Sequence, residues 1–361
     1  MPLTKLQFRP GINRETTSYS NEGGWFDMDK VRFRFGFPEK IGGWEPTSST
    51  YFLGTCRALH PWVALQGERY LGVGTHLKYY INEGGGYNDI TPIRVTTSAG
   101  DVTFSAAANT LGADVAIDAD EITLSSSTGF PESGRIKINN EIITYAAISS
   151  NVLQGCLRGQ SLTTAATHSS GAAVLCATIT VTDAAHGALE SDFVTFSGAV
   201  TLGDNITADI LNQEYQITSV LNINSYLIEA RVVSTIPSIT TSSGLVPTVT
   251  DPVTEVVSSG FVFASTSDSG NGGSSVVGTY QINTGLDTTI TGAGWGAGTW
   301  GRGAWDSAAN LTTSGQTLRI WSHDNFGEDL LINVRDGDLF YWDKTNGTST
   351  RAVELASLTG A

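Results

Sequence analysis

Gly327-Glu328-Asp329-Leu330-Leu331-Ile332-Asn333-Val334-Arg335-Asp336-Gly337-Asp338-Leu339-Phe340-Tyr341-Trp342 is the stretch on which the fold turns. An apolar run, a polar turn at 335–338 and an aromatic run make the pattern of a β-hairpin. A second copy lies 260 residues upstream, Gly67-Glu68-Arg69-Tyr70-Leu71-Gly72-Val73-Gly74-Thr75-His76-Leu77-Lys78-Tyr79-Tyr80. Gly67 and Glu68 match Gly327 and Glu328. With two extra residues placed in the later turn, Leu77, Tyr79 and Tyr80 match Leu339, Tyr341 and Trp342. A tryptophan precedes each copy, Trp62 and Trp321. A repeated hairpin with aromatic strands predicts successive blades of a β-propeller or a related β-repeat, lying side by side in one domain. The simpler alternative is two unrelated hairpins, which share this pattern.

Two counts set apart what lies between the copies. All eight tryptophans (25, 44, 62, 295, 300, 305, 321, 342) fall outside residues 93–283. That middle segment holds 5 Lys/Arg against 17 Asp/Glu, whereas the remainder holds 15 against 18. An acidic module inserted at an exposed loop accounts for both, since insertion is best tolerated there. The expected fold is all-β: a partial or complete propeller-like hub split by small β-barrel and immunoglobulin-like sandwich modules. Its divisions are an extended arm (1–22), a leading hub segment (23–92), a small β module (93–175), an immunoglobulin-like module with a loose linker (176–283) and a closing hub segment (284–361). Within the small module, Ile122-Thr123-Leu124, Gly134 to Ile138, Glu141 to Tyr145 and Leu153 to Gly159 read as short strands of a barrel or sandwich. Ala177 to Thr182, Asp192 to Phe196, Glu214 to Thr218 and Ser225 to Ala230 alternate with sandwich spacing.

The bulk composition agrees with β structure. Only 15% of the 361 residues are charged, glycine numbers 41, and no apolar helical stripe exceeds about two turns. No apolar run is long enough for a transmembrane helix, and no leader pattern follows Met1, so neither span nor secretory signal is expected. Cys56, Cys156 and Cys176 are scattered without CxxC spacing and read as reduced, buried thiols of a protein assembled in cytoplasm, with a Cys156–Cys176 disulfide as the alternative. A net charge of −15 excludes a generic nucleic-acid-binding surface.

Catalytic and metal-binding patterns are missing along the chain. It carries no Walker loop, GxGxxG after a strand, HExxH or GxSxG. The five histidines (60, 76, 168, 186, 323) never share a short segment. Asp114, Asp118, Asp120 and Glu121 form an acidic run that lacks the glycine-spaced calcium loop and reads as a solvated loop. Neither a catalytic residue, a metal ligand nor a cofactor is assigned, and an enzyme is not expected.

Toward the N-terminus, Val31-Arg32-Phe33-Arg34-Phe35 alternates strictly, which puts Arg32 and Arg34 on one strand face. Gly36-Phe37-Pro38 breaks the run and Lys40-Ile41-Gly42-Gly43-Trp44 returns as a hairpin. Leu6 to Asn13, Gly23 to Phe26, Val31 to Arg34 and Pro38 to Trp44, with the Gly/Trp string Thr291 to Trp305 and Trp321 to Asp329, resemble a family of tailed-bacteriophage structural proteins of the tail hub or nozzle (packaged-DNA stabilisation). The resemblance covers residues 1–92 and 280–361. It implies a non-enzymatic virion protein of the tail, assembled in the host cytoplasm as a homo-oligomeric ring expected to be sixfold. Such a ring closes the tail channel, retains packaged double-stranded DNA and lets it pass on infection. Its implied partners are portal or adaptor and other tail proteins, with host-surface contact as a further candidate. Arg32 and Arg34 are the DNA-channel candidates, an inter-subunit or solvent contact being the commoner use of such a strand face, and Trp25, Trp44, Trp295, Trp300, Trp305 and Trp342 are hub-core candidates, with sugar stacking as the alternative for the string Gly292 to Trp305. The rival expectation is a receptor- or carbohydrate-binding tail protein that uses the inserted modules; a wall-degrading tail enzyme is weaker, for want of a carboxylate pair.

Overall fold

The computed structural model describes residues 9–15, 17, 19–43, 48, 51–232, 260–285, 320–335 and 337–358, with the short strands Val249–Thr250 and Val257–Ser258. Trp44, Trp295, Trp300 and Trp305 lie outside the described residues. The chain is all-β, 44% strand and 4% helix, in several antiparallel sheets of which none is closed among the described residues. It divides into a unit Met1–Ser49 and a unit Thr50–Ala361. The 31–40 hairpin therefore belongs to a different unit from the upstream repeat, although both fell within the expected hub segment 23–92.

In the first unit, Val31–Arg34 pairs with Phe37–Lys40. The arm expected over 1–22 is hydrogen-bonded to the segment that follows it: the Arg9 and Asn13 amides donate to Gly23 O (2.7 Å) and Trp25 O (2.9 Å).

In the second unit each repeat grows into a four-stranded meander. The first runs Cys56–Val63, Arg69–Thr75, Tyr79–Glu83, Gly86–Asp89, and the second Trp321–Phe326, Asp329–Val334, Leu339–Trp342, Val353–Glu354, each strand beside the next. Both turn at the matched glycine, Gly67 (φ 89°) and Gly327 (φ 70°), a left-handed conformation that favours glycine. Strand register fixes the correspondence. Trp62 opposite Tyr70 equates with Asn325 opposite Leu330, and His60 opposite Gly72 with His323 opposite Ile332. Ile81, also opposite Gly72, equates with Phe340 opposite Ile332. On that register Leu339 corresponds to Tyr80 and Trp342 to Glu83. The sequence match of Tyr80 with Trp342 is thus three residues out, because it aligned aromatic character rather than the face each residue occupies.

Both meanders bury that corresponding face in one core, built from Trp62, Tyr70, Tyr79 and Ile81 on one side and Trp321, Leu330, Ile332, Phe340 and Trp342 on the other. The side-by-side placement in one core is as expected. Its geometry is not that of successive propeller blades, which stack front to back. Here equal faces meet, as about a local twofold, and corresponding residues touch: the His60 and His323 rings lie 4.7 Å apart, and Glu68 and Glu328 both bind Lys344 Nζ (2.6 and 3.0 Å). Gly74 leaves the space into which Trp321 packs, for a Cβ there would lie 2.4 Å from the indole. The indole nitrogen donates to Thr75 O at 2.7 Å.

The insertion leaves and re-enters the meander core at one place, where the Ile282 amide donates to Pro92 O (3.0 Å). Ile93–Thr96 joins Val277–Gln281, Phe193–Ser197 and Glu214–Gln216 in one sheet; Thr103–Ser105 joins Thr178–Thr182, Ser225–Glu229 and Ser219–Asn222 in another. Val102, Phe104, Ile179, Phe196, Tyr226 and Tyr280 pack between them. Strands 93–96 and 103–105, expected in the small module, belong to this larger one, and the small module is nested inside it between Ser105 and Thr178. The small module has a five-stranded and a three-stranded sheet around Ile136, Ile138, Ile143, Leu153 and Val174. Leu157–Gln160 and Ala108–Thr110 remain as edges of the larger sheet, so it does not close as the expected barrel would. Arg135 ties the two modules together, bonding Glu229 at 3.0 Å and lying 4.0 Å from the Phe261 ring centroid. All three cysteines are free; Cys56 is exposed rather than buried, and Cys156 and Cys176 are not bridged.

Candidate functional site

Arg32 and Arg34 sit on the 31–40 hairpin, which closes through a two-residue turn of Phe35 (φ 51°) and Gly36 (φ 84°). Two successive left-handed residues match the twist of paired strands, and glycine suits the second position. A phenylalanine at the first is strained by about 1 kcal/mol. Phe35 and Phe37 are 88% and 74% exposed. Arg32 pairs with Glu39 across the strands at 3.3 Å, and the Arg34 guanidinium lies 5.4 Å from the Phe35 ring centroid. The tip thus presents two aromatic rings and two guanidiniums to solvent. Arg32, already held by Glu39, is a poor grip for phosphate.

The tryptophan candidates fare unevenly. Trp342 is in the shared core, while Trp25 lies in the first unit with its ring 6.4 Å from Phe33. Trp62 and Trp321, absent from the core candidates, are both buried in that core.

Two buried charge clusters have no counterpart in the sequence reading. Lys78, 3% exposed, binds Asp89 (2.8 Å) and Glu214 (2.5 Å), and Arg351 reaches Asp89 (3.2 Å) and Glu214 (3.6 Å). Burial raises the Asp89 carboxyl, but Lys78 and Arg351 outweigh it and hold it below the usual carboxylate range. Two cations and two anions from both meanders and the insertion are therefore mutually satisfied, which fixes the insertion at its root. In the small module Glu141, 1% exposed, binds Arg158 (2.7 Å), His168 Nε2 (2.7 Å) and the amides of Gly159 and Ala166 (both 3.0 Å). Burial pushes its carboxyl up, and these bonds overcome that to hold it at about 2. Every member is bonded within the module, which is a stabilising role rather than a chemical one.

Asp114 accepts from the Ser170 amide (2.7 Å) and Glu121 from Gln154 (3.2 Å). Among the described residues no three His, Cys, Asp or Glu side chains converge as a metal site would need. The sites that stand out are thus an exposed aromatic and basic hairpin tip and internal clamps. Comparison with family models, curated proteins and solved structures finds no match to this chain.

Proposed function

We propose that this chain is a non-enzymatic structural protein of a tailed-bacteriophage virion, a subunit of a homo-oligomeric tail hub or nozzle ring that retains packaged DNA and passes it on infection. The observation that carries the reading is the repeat: two meanders separated by an insertion of about 190 residues share one tryptophan-rich core, and the insertion departs from a single point. A core that tolerates so large a passenger suits an assembly scaffold. The paired four-stranded sheets of the insertion are read as immunoglobulin-like. Within the virion tail, the ring meets portal or adaptor proteins, and a channel wall of weak net charge lets duplex DNA slide, because each neutralised phosphate adds salt-sensitive grip.

One observation favours the rival, a receptor- or carbohydrate-binding tail protein. Ser161 and Leu162 (φ 53° and 67°) form a strained turn on the small module, with Leu162 83% exposed. Electron imaging of the purified full chain separates the two. Rings with a central channel are expected; isolated trimeric spikes would favour the receptor binder.

A further inference from the structure

Of the two buried charge clusters, that around Lys78 contains an amine, whereas Glu141 meets a guanidinium and an imidazole. A lysine becomes nucleophilic once it sheds a proton in a dry site. The Lys78 side chain is 4% exposed, and its Nζ sits 4.5 Å from the Phe193 ring centroid. Its backbone is pinned as well, the Lys78 amide donating to the Thr75 hydroxyl at 2.9 Å. Lys344 also meets two carboxylates, but Glu68 there is exposed to water. The two carboxylates that meet Lys78 are held differently. Asp89 presents Oδ2 to Nζ at 2.8 Å, while its Oδ1 accepts from the Thr91 amide (2.9 Å) and the Thr91 hydroxyl (2.6 Å). That hydroxyl is itself fixed, accepting from the Tyr79 amide at 2.9 Å. Two aimed donors on the oxygen remote from the amine are what an oxyanion at that carboxyl needs. Glu214 presents Oε2 to Nζ at 2.5 Å, and its Oε1 accepts from Gln281 Nε2 and lies 3.6 Å from Arg351 Nη2. It is placed to carry protons. Arg351 Nη2 lies 3.2 Å from Asp89 Oδ2, and its Nη1 donates to Thr91 O at 2.8 Å.

We propose that Lys78 Nζ and Asp89 Cγ join in an intramolecular isopeptide bond, which the chain forms by itself with loss of one water. A lysine ammonium and an aspartate carboxylate together hold every atom of the amide and the water, so no co-reactant is needed. Asp89 is held ionised by its cationic neighbours, so the protons its leaving oxygen requires come from Lys78. Glu214 takes one proton from Nζ and delivers it to Asp89 Oδ2. The freed lone pair attacks Cγ, and the charge that develops on Oδ1 rests on the Thr91 amide and hydroxyl. Glu214 then moves a second proton from the nitrogen to Oδ2, the Cγ–Oδ2 bond breaks, and Oδ2 departs as water past the half-buried Asp89 and Glu214. Charge balances throughout: two cations and two anions become a neutral amide and the Arg351–Glu214 pair. Contact between amine and carboxyl makes the step effectively unimolecular, and it removes one buried ion pair. Asp89 rather than Glu214 is the acceptor because both Thr91 donors lie on its carboxyl. The bond ties the start of the third strand of the first meander to the end of its fourth, and it forms in the isolated chain, whatever assembly that chain enters.

The test is peptide mass spectrometry on the purified full chain, denatured and digested after incubation at neutral pH. Trypsin needs an unmodified lysine amine, so it should no longer cut after Lys78. Tyr70 to Arg94 is then recovered as one peptide lighter by one water, and its halves stay joined when it is cut after Glu83. Lys78→Arg should retain the water. Glu214→Gln, with an unchanged circular dichroism spectrum, should slow bond formation about a hundredfold, the size of a lost proton carrier. A merely structural Glu214 would instead change the spectrum and the rate together. Wild type that keeps its water and is cut normally after Lys78 overturns the proposal. So does a water lost while that cleavage persists, which marks a succinimide at an aspartate, or a crosslink that maps to Glu214. A folded Glu214→Gln chain that links at the wild-type rate overturns the proton route and the proposal with it.

Discussion

The meander core and the inserted modules solve the same problem, burying β-sheet faces, with opposite materials. The core is aromatic and stacked: Trp62 on Tyr70 at 5.2 Å, Tyr79 edge-on to Trp321 at 4.9 Å, with histidine against histidine at its local axis. The small module is aliphatic around one buried ionic cluster, Glu141 with Arg158 and His168. A duplicated hairpin can be reused wherever equal faces suffice, whereas a buried carboxylate demands partners delivered from specific distant loops. Because every tryptophan lies outside residues 93–283, tryptophan emission does not report the inserted modules, and the two regions can be followed separately in one molecule.

The largest effects should therefore be regional. Trp342→Ala, at 1% exposure, removes the indole that meets Trp62 and Tyr70 and should cost about 4 kcal/mol. Chemical denaturation should register it in tryptophan emission, with the inserted modules still folded by tyrosine near-ultraviolet dichroism. Glu141→Gln strips Arg158 of its buried counter-charge and should cost about 3 kcal/mol in the module only. If either substitution shifts both signals equally, the two regions are one cooperative unit.

Acid should separate them in order. Burial and the neighbouring His60 lower the His323 pKa below its ordinary 6.5. The unfolded chain therefore binds the proton more readily, and core stability, complete above pH 6.5, declines as pH falls below it. Glu141 has the same sense in a lower window: its stabilisation is complete above the ordinary 4.5 and is lost as pH falls from there toward about 2. Tryptophan emission should respond first on acidification, and His323→Gln should flatten that early slope while leaving the later one. The reverse order would contradict the assignment. The smallest effect expected is Gly327→Ala at φ 70°, about 1 kcal/mol, read in the core signal alone.

Much of this was legible in the sequence, through features that are local. Alternation at Val31 to Arg34, the Gly-Glu turns at 67 and 327 and the segregation of tryptophan pointed to the β class, the hairpins and the insertion. What was hidden depends on register or on distance. The third strand of each meander looked alignable through its aromatics, yet pairing assigns Trp342 to the position of Glu83. The nesting of the small module arises because Thr103–Ser105 pairs with Thr178–Thr182, a match that two three- to five-residue strands do not encode individually. Lys78 and Glu214 stand 136 residues apart, and no spacing rule joins them. At the 31–40 hairpin tip, Arg32 and Arg34 were visible, but the exposed left-handed Phe35 that gives the tip its character required backbone geometry.

Excising the insertion tests the central claim most directly, that two distant hairpins form one self-sufficient core. Pro92 and Ile282 are already hydrogen-bonded, so a short Gly/Ser linker can replace residues 93–281. The shortened chain should unfold cooperatively and show the blue-shifted emission of buried tryptophan, as in the full chain. Red-shifted emission with no cooperative transition would mean that the meanders depend on the inserted modules, and the claim would be wrong.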